Sequence, residues 1–211
     1  MLKSEFSSHY PQSQSGGGCG VRLVTRLAGS LLLPFLILFI ASGVPARAAA
    51  SEHLSDTDLG RKVMVDYIVH FAHHLQWPIE VFNGTGAPFR ICVMGGDELV
   101  APLTARLHRH RIQGRMVELE RVNDGEMIRA RSCQIMVMGD MGAEQLAEAV
   151  GALEFFPVLT VSDVRRFAVL GGMVEFAGSG ANLALQLNKT RLDRAELKMG
   201  NSLFRLSRQV N

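Results

Sequence analysis

Between residues 61 and 78 the run RKVMVDYIVHFAHHLQWP places Val63, Tyr67, Phe71, His74 and Leu75 at helical spacing, with Val69 and Ala72 beside them. This predicts an amphipathic helix that ends at Trp77, because Pro78 disfavours the αR region for the residue before it. FNGTGAP (82–88) is a turn-rich connection, and FRICVMG (89–95) is a short apolar run closed by glycine. DELVAPLTARLHRH (97–110) returns to a helical pattern with Asp97 as the expected N-cap. The unit then repeats. RMVELERV (115–122), CQIMVMGD (133–140) and FPVLTVSD (156–163) are strands; DGEMIRARS is a short helix or turn, AEQLAEAVGAL (143–153) a helix and VRRFAVLG a short helical piece. Strands alternating with helices predict an α/β fold, a Rossmann-like three-layer sandwich whose mainly parallel sheet is covered on both faces. GMVEFAG and NLALQLN, joined by SGA, read instead as a hairpin that leaves an antiparallel strand at the C-terminal edge. Asn188 or Thr190 opens a short helix, and NSLFRLSRQV (201–210) closes the chain as an amphipathic helix with Leu203, Leu206 and Val210 on one stripe.

The first 50 residues follow a different pattern. Residues 1–26 are polar and rich in Gly and Ser, and LAGSLLLPFLILFIASG (27–43) follows without a charge. Ala48 and Ala50 then stand at the spacing of an A-x-A cleavage site, so residues 1–50 are expected to be a signal peptide cut before Ser51. An uncleaved signal anchor is the alternative reading, since 17 residues is the short end of a membrane span. SEHLSDTDLG (51–60) reads as a flexible linker and residues 61–211 as one domain. Removing residues 1–50 takes four of the 22 Lys and Arg and one of the 20 Asp and Glu, moving the formal charge from +2 to −1. A near-neutral domain lacks the field that draws proteins to nucleic acid, so no nucleic-acid partner is expected.

Cys19 departs with the leader and leaves Cys92 and Cys133, an even pair in an oxidising compartment. They fall on the first and third predicted strands, neighbours in a 2-1-3 doubly wound order. Strands about 4.8 Å apart are compatible with a disulfide, and closing a loop of roughly 40 residues contributes about 3–4 kcal/mol in the chain-entropy model. Two free buried thiols are the alternative. C-x-x-C is absent, which argues against a redox enzyme.

Gly95-Gly96-Asp97-Glu98 spells the first four letters of GGDEF, the signature of diguanylate cyclases, with Leu99 in place of the final Phe. In those enzymes the tetrad sits on a hairpin turn, whereas here it leaves a strand and opens a helix. The letters are those of a βα turn: glycines for a tight exit and acids for the helix N-terminus. G-x-G-x-x-G is also missing, so no nucleotide cofactor is expected. Asp66, His70 and His74 are i,i+4 neighbours with His73 beside them, yet H-E-x-x-H is absent; they read as structural or surface histidines and no metal is expected. Arg106, His108, Arg109, His110, Arg111 and Arg115 form a basic cluster, suited to a helix C-terminus or to an acidic partner. Ser162 beside Asp163 after a strand reads as a cap, or as the lining of a cleft at the carboxyl edge of the sheet.

Four stretches in order resemble the YfiR-like family: VMVDYIVHFAHHLQWPIEVF, the pair FRICVMG and CQIMVMG with a cysteine on each, VLTVSDVRRFAVLGGMVEF, and LALQLNKTRLDRAELKMGNSLFRLSRQV. The resemblance covers roughly residues 60–210. It implies a non-catalytic periplasmic regulator that binds the periplasmic sensor domain of a membrane diguanylate cyclase and represses cyclic-di-GMP synthesis, without cofactors. The expected contact surface is the first helix around Trp77, with Phe167 and the C-terminal helix near Phe204 and Arg205. A homodimer is left open. The competing readings are a periplasmic small-ligand sensor or carrier using Gly95, Gly139, Asp140 and Ser162, and an adaptor of a sensor kinase. Amino-terminal sequencing of the exported protein is expected to begin Ser-Glu-His; a start within residues 1–26 would establish the anchor instead.

Overall fold

The computed structural model describes residues 53–179, 182–200 and 207–210. A 3-10 turn at Leu54–Asp56 leads into α1 (Asp58–His74), followed by β1 (Leu75–Gln76), a second 3-10 turn (Ile79–Val81), β2 (Phe89–Met94) and α2 (Asp97–Leu107). Then come β3 (Arg111–Ile112), β4 (Arg115–Arg121), α3 (Met127–Ala130), β5 (Ile135–Met138), α4 (Ala143–Ala152) and β6 (Leu159–Ser162). The chain continues through β7 (Val174–Ser179), β8 (Asn182–Asn188), α5 (Lys189–Arg194), β9 (Lys198–Met199) and β10 (Ser207–Val210). Among the described residues, eight strands form one sheet in the order β10-β8-β7-β6-β5-β2-β4-β3, and β1 pairs with β9 in a separate antiparallel ribbon. β4, β2, β5, β6 and β7 are mutually parallel neighbours, and β3–β4 and β7–β8 are antiparallel. No described helix is long and apolar enough to cross a membrane.

The two-residue period of the central strands sorts their side chains into two cores. Ile91 and Val93 of β2, with Ile135 and Val137 of β5, pack in the same cluster as Met64, Ile68 and Phe71 of α1 and Leu99 and Leu103 of α2. The alternate residues, Cys92, Met94, Met136 and Met138, meet Leu146, Ala149 and Val150 of α4 in the other cluster. The result is the three-layer α/β sandwich that the strand and helix alternation predicts.

Four local expectations are corrected. α1 stops at His74, three residues before Trp77, because Leu75 and Gln76 are drawn into pairing with Met199 and Lys198. Gln113 completes that end, its Nε2 donating to the Ala72 and Leu75 carbonyls at 3.3 and 2.9 Å. The N-cap of α2 is Gly96, and Asp97 lies inside the first turn, where its carboxylate faces Arg121 at 3.2 Å. The expected linker is, from His53 onward, part of the domain: Leu54 and Ser55 are buried, and Thr57 caps α1 by accepting from the Gly60 N–H at 3.0 Å. Finally, Ser207–Val210 is a strand rather than the end of a helix, and it pairs in parallel with β8, so the β7–β8 hairpin is not the edge of the sheet. An apolar stripe of period 3.6 is a local signal, whereas the open N–H and C=O groups of β8 that β10 satisfies are supplied only by the fold. Leu203 and Leu206 of that stripe lie outside the described residues.

The β2 and β5 chains approach most closely at their exits. A Cβ on Gly139 would lie 2.0 Å from the Gly95 carbonyl oxygen and 2.5 Å from Gly96 Cα, all rigid backbone. Gly139→Ala is therefore expected to cost about 1–3 kcal/mol as an overpacked site, read as a lower denaturation midpoint at an unchanged denaturant slope.

Candidate functional site

In open α/β sheets ligands bind at the carboxyl edge, where the strand order reverses. Here that point lies between β2 and β5 and is filled by main chain. Gly95, at φ +68°, turns the chain out of β2, Gly139 N–H donates to the Met94 carbonyl at 2.8 Å, and the two glycine segments lie in direct contact.

The polar side chains at the neighbouring strand ends are likewise engaged with backbone. Ser162 Oγ accepts from the Val164 N–H at 3.0 Å. Asp163, 5% exposed, accepts from the Ser55 N–H at 2.7 Å, which holds the segment before α1 across this edge. His53 of the same segment sits 3.9 Å from Asp163 and 3.8 Å from the exposed Asp140. On β7 the buried Glu175 accepts from Arg166 and Ala168 N–H at 3.0 and 3.1 Å, spanning a turn in which Arg166 adopts φ +65°. Such buried acids are satisfied by amides rather than by a ligand.

Cys92 and Cys133 form a disulfide with their Cα atoms 6.0 Å apart and a sequence separation of 41. Both are buried beneath α4, among Met94, Met136 and Leu146. Cys133 precedes β5 in the chain, so the bridge ties the entry to β5 to the middle of β2.

The expected contact residues do not form one surface. Trp77 is buried at 8% exposure: its Nε1–H donates to the Gln134 carbonyl at 3.1 Å and its ring stands edge-on to Phe89 at 5.1 Å. Phe167 is fully buried in the α4-side core, its ring so close to Gly172 that a Cβ there would meet it at 2.1 Å. Aromatics at regular spacing serve the core here. Phe204 and Arg205 lie outside the described residues. The exposed apolar residues are others, including Ile79 at 69% and Phe155 at 72%, with Val169 and Leu170. Phe155 belongs to the pair Phe155-Phe156 just ahead of Pro157, a short helix-to-strand connection whose bulky residues no periodic face requires.

Phe155 and Leu170 are sequence neighbours of Glu154 and Gly171, which meet at one charge cluster. Glu154 pairs with Arg191 at 2.7 Å and Arg194 at 2.6 Å, and the Arg191 guanidinium lies against Gly171. The basic cluster of residues 106–115 is largely committed internally. Arg106 faces Asp66 at 3.4 Å, Arg111 donates to the Gly114 carbonyl, and Arg115 donates to the carbonyls of Gly84, Thr85 and Ala87 while stacking over Phe82.

The histidines of α1 are exposed, His74 included, contrary to its expected place on the apolar stripe. The His70 and His74 ring centroids lie 4.2 Å apart with the rings tilted at 45°, and His73 meets His110 from the turn after α2, Nε2 to Nε2, at 3.1 Å. Partial burial, followed by His74 and His73, lowers the His70 pKa; burial, followed by His110, His74 and Arg106, lowers that of His73. Among the described residues no group of three or more His, Cys, Asp or Glu side chains is placed to hold a metal ion.

Two comparisons bear on the whole domain. A protein-family model described as YfiR/HmsC-like matches residues 61–208, which span nearly all of the described sheet and helices. A search of curated proteins found no match.

Replacing both Cys92 and Cys133 by Ala is expected to lower stability by about 3–4 kcal/mol through the freed loop. Its check is chemical denaturation of the variant beside the oxidised protein. The burial of both sulfurs further predicts that a thiol reductant acts on the native protein far more slowly than on the unfolded chain, followed by mass shift after alkylation.

Proposed function

The chain belongs to the YfiR/HmsC-like family, and from that premise we propose that it is a non-catalytic periplasmic regulator that binds the sensor domain of a membrane diguanylate cyclase and represses cyclic-di-GMP synthesis. The observation that carries this reading is the extent of the family match, 61–208, over a domain whose buried carboxyl-edge side chains Ser162, Asp163 and Glu175 are engaged with its own backbone. The backbone-filled crevice at Gly95 and Gly139 weighs against the alternative of a small-ligand carrier at that edge.

Repression of this kind is a population shift. The regulator binds the inactive arrangement of its partner more tightly than the active one, and output falls by that difference in affinity. The surface we assign to the contact is Phe155 with Val169 and Leu170, beside the Glu154–Arg191–Arg194 cluster. Exposed apolar groups rimmed by charge are the usual composition of a protein-binding patch.

The test is crosslinked capture of the tagged protein from its native host, with cyclic-di-GMP measured in parallel. A membrane diguanylate cyclase is expected among the captured proteins, and deletion of the regulator should raise cyclic-di-GMP. The Phe155→Ser/Leu170→Ser pair should reduce capture at least tenfold without lowering the melting temperature. Recovery of a sensor kinase alone would transfer the regulator to another output, and an unchanged cyclic-di-GMP level on deletion would remove the repressor reading.

A further inference from the structure

His73 lies in the last turn of α1 and His110 in the turn between α2 and β3, yet their Nε2 atoms are 3.1 Å apart, with the rings at 77°. Two imidazole nitrogens at that distance share either a proton or a metal ion. In the first case one ring donates Nε2–H and the other accepts; in the second both lone pairs face the ion. With metal–nitrogen bonds of about 2.0–2.1 Å, this separation subtends an angle of about 100° at the metal, between octahedral and tetrahedral values. We propose that His73 and His110 form a two-histidine seat for a divalent transition-metal ion of the zinc class, with water in its remaining positions.

One further feature suits a cation there. The seat lies at the C-terminal end of α1, where the helix dipole favours positive charge. The opposing charge is Arg106, which contributes to the field at His73; Asp66 faces its guanidinium at 3.4 Å and also pairs with Lys62 at 3.0 Å. Spacing along α1 alone does not disclose the seat, because its second ligand comes from another element. The open coordination separates it from a closed structural site, which needs four protein ligands.

An ion held there would join the end of α1 to the turn before β3 and raise the melting temperature by linkage. The experiment is calorimetric titration of the tag-free protein with ZnCl2, with MgCl2 as control, alongside thermal unfolding. One Zn2+ per chain is expected, with no response to Mg2+. His73→Gln and His110→Gln should each weaken zinc binding at least tenfold and abolish the stabilisation, whereas His108→Gln should leave both unchanged. In the unsubstituted protein zinc should also shift the ring proton resonances of two histidines. Absence of zinc binding, binding that survives both substitutions, or unshifted ring resonances would each overturn the proposal. The seat does not depend on the regulatory reading, and each can fail alone.

Discussion

At the centre of the sheet β2 and β5 run parallel, with Ile91 opposite Ile135 and Met94 opposite Met138, and the chain leaves this pair in opposite directions. From β2 it goes outward to β4 and the short β3; from β5 it goes to β6, β7 and the hairpin. Both halves of the domain therefore hang on one strand pair. That pair is secured twice, by the Cys92–Cys133 bridge under α4 and by the glycine contact at its exit, where Gly139 lies on the Gly95 and Gly96 backbone. The bridge limits the unfolded chain, and the glycine contact limits what the folded pair can accept between its strands.

This arrangement has a consequence for function. The place where doubly wound folds usually bind ligands is filled by the main chain that makes the central strands close. The acids around it, Asp163 and Glu175, hold the segment before α1 and the turn after β6. These buried acids are satisfied within the domain, and that internal engagement is what the proposed regulatory reading rests on. Among the outward-facing features are Phe155, Val169 and Leu170 and the histidines at the end of α1.

Much of the fold was legible along the chain because it depends on local periodicity. The apolar runs at 89–95, 133–140 and 156–163 each contain the strand later observed, and 97–110 and 143–153 contain α2 and α4. Element order alone brings the two cysteines within reach of each other, since a 2-1-3 order leaves few neighbours to choose from, although Cys133 lies two residues ahead of β5 rather than on it. Individual side chains were less legible. Trp77 and Phe167 have the composition of an interface but sit in the two cores, because period alone does not say which neighbour covers an aromatic ring. Phe155, in a connection with no periodic face, carried no such signal.

The sequence by itself determined the α/β class, the alternation of β2, α2, β4, β5, α4 and β6 and the βα character of the Gly95–Glu98 turn, because each rests on contacts within a few residues. Tertiary structure decided everything that needs two distant segments to meet. Residues 207–210 became a strand because β8 offered unpaired backbone groups, α1 ended early because Leu75 and Gln76 paired with β9, and residues 53–56 folded onto the domain because Asp163 was waiting for an amide. His73 met His110 for the same reason. Hydrogen-bonding groups left open by one element are completed by another, and that demand is not written in either segment's own pattern.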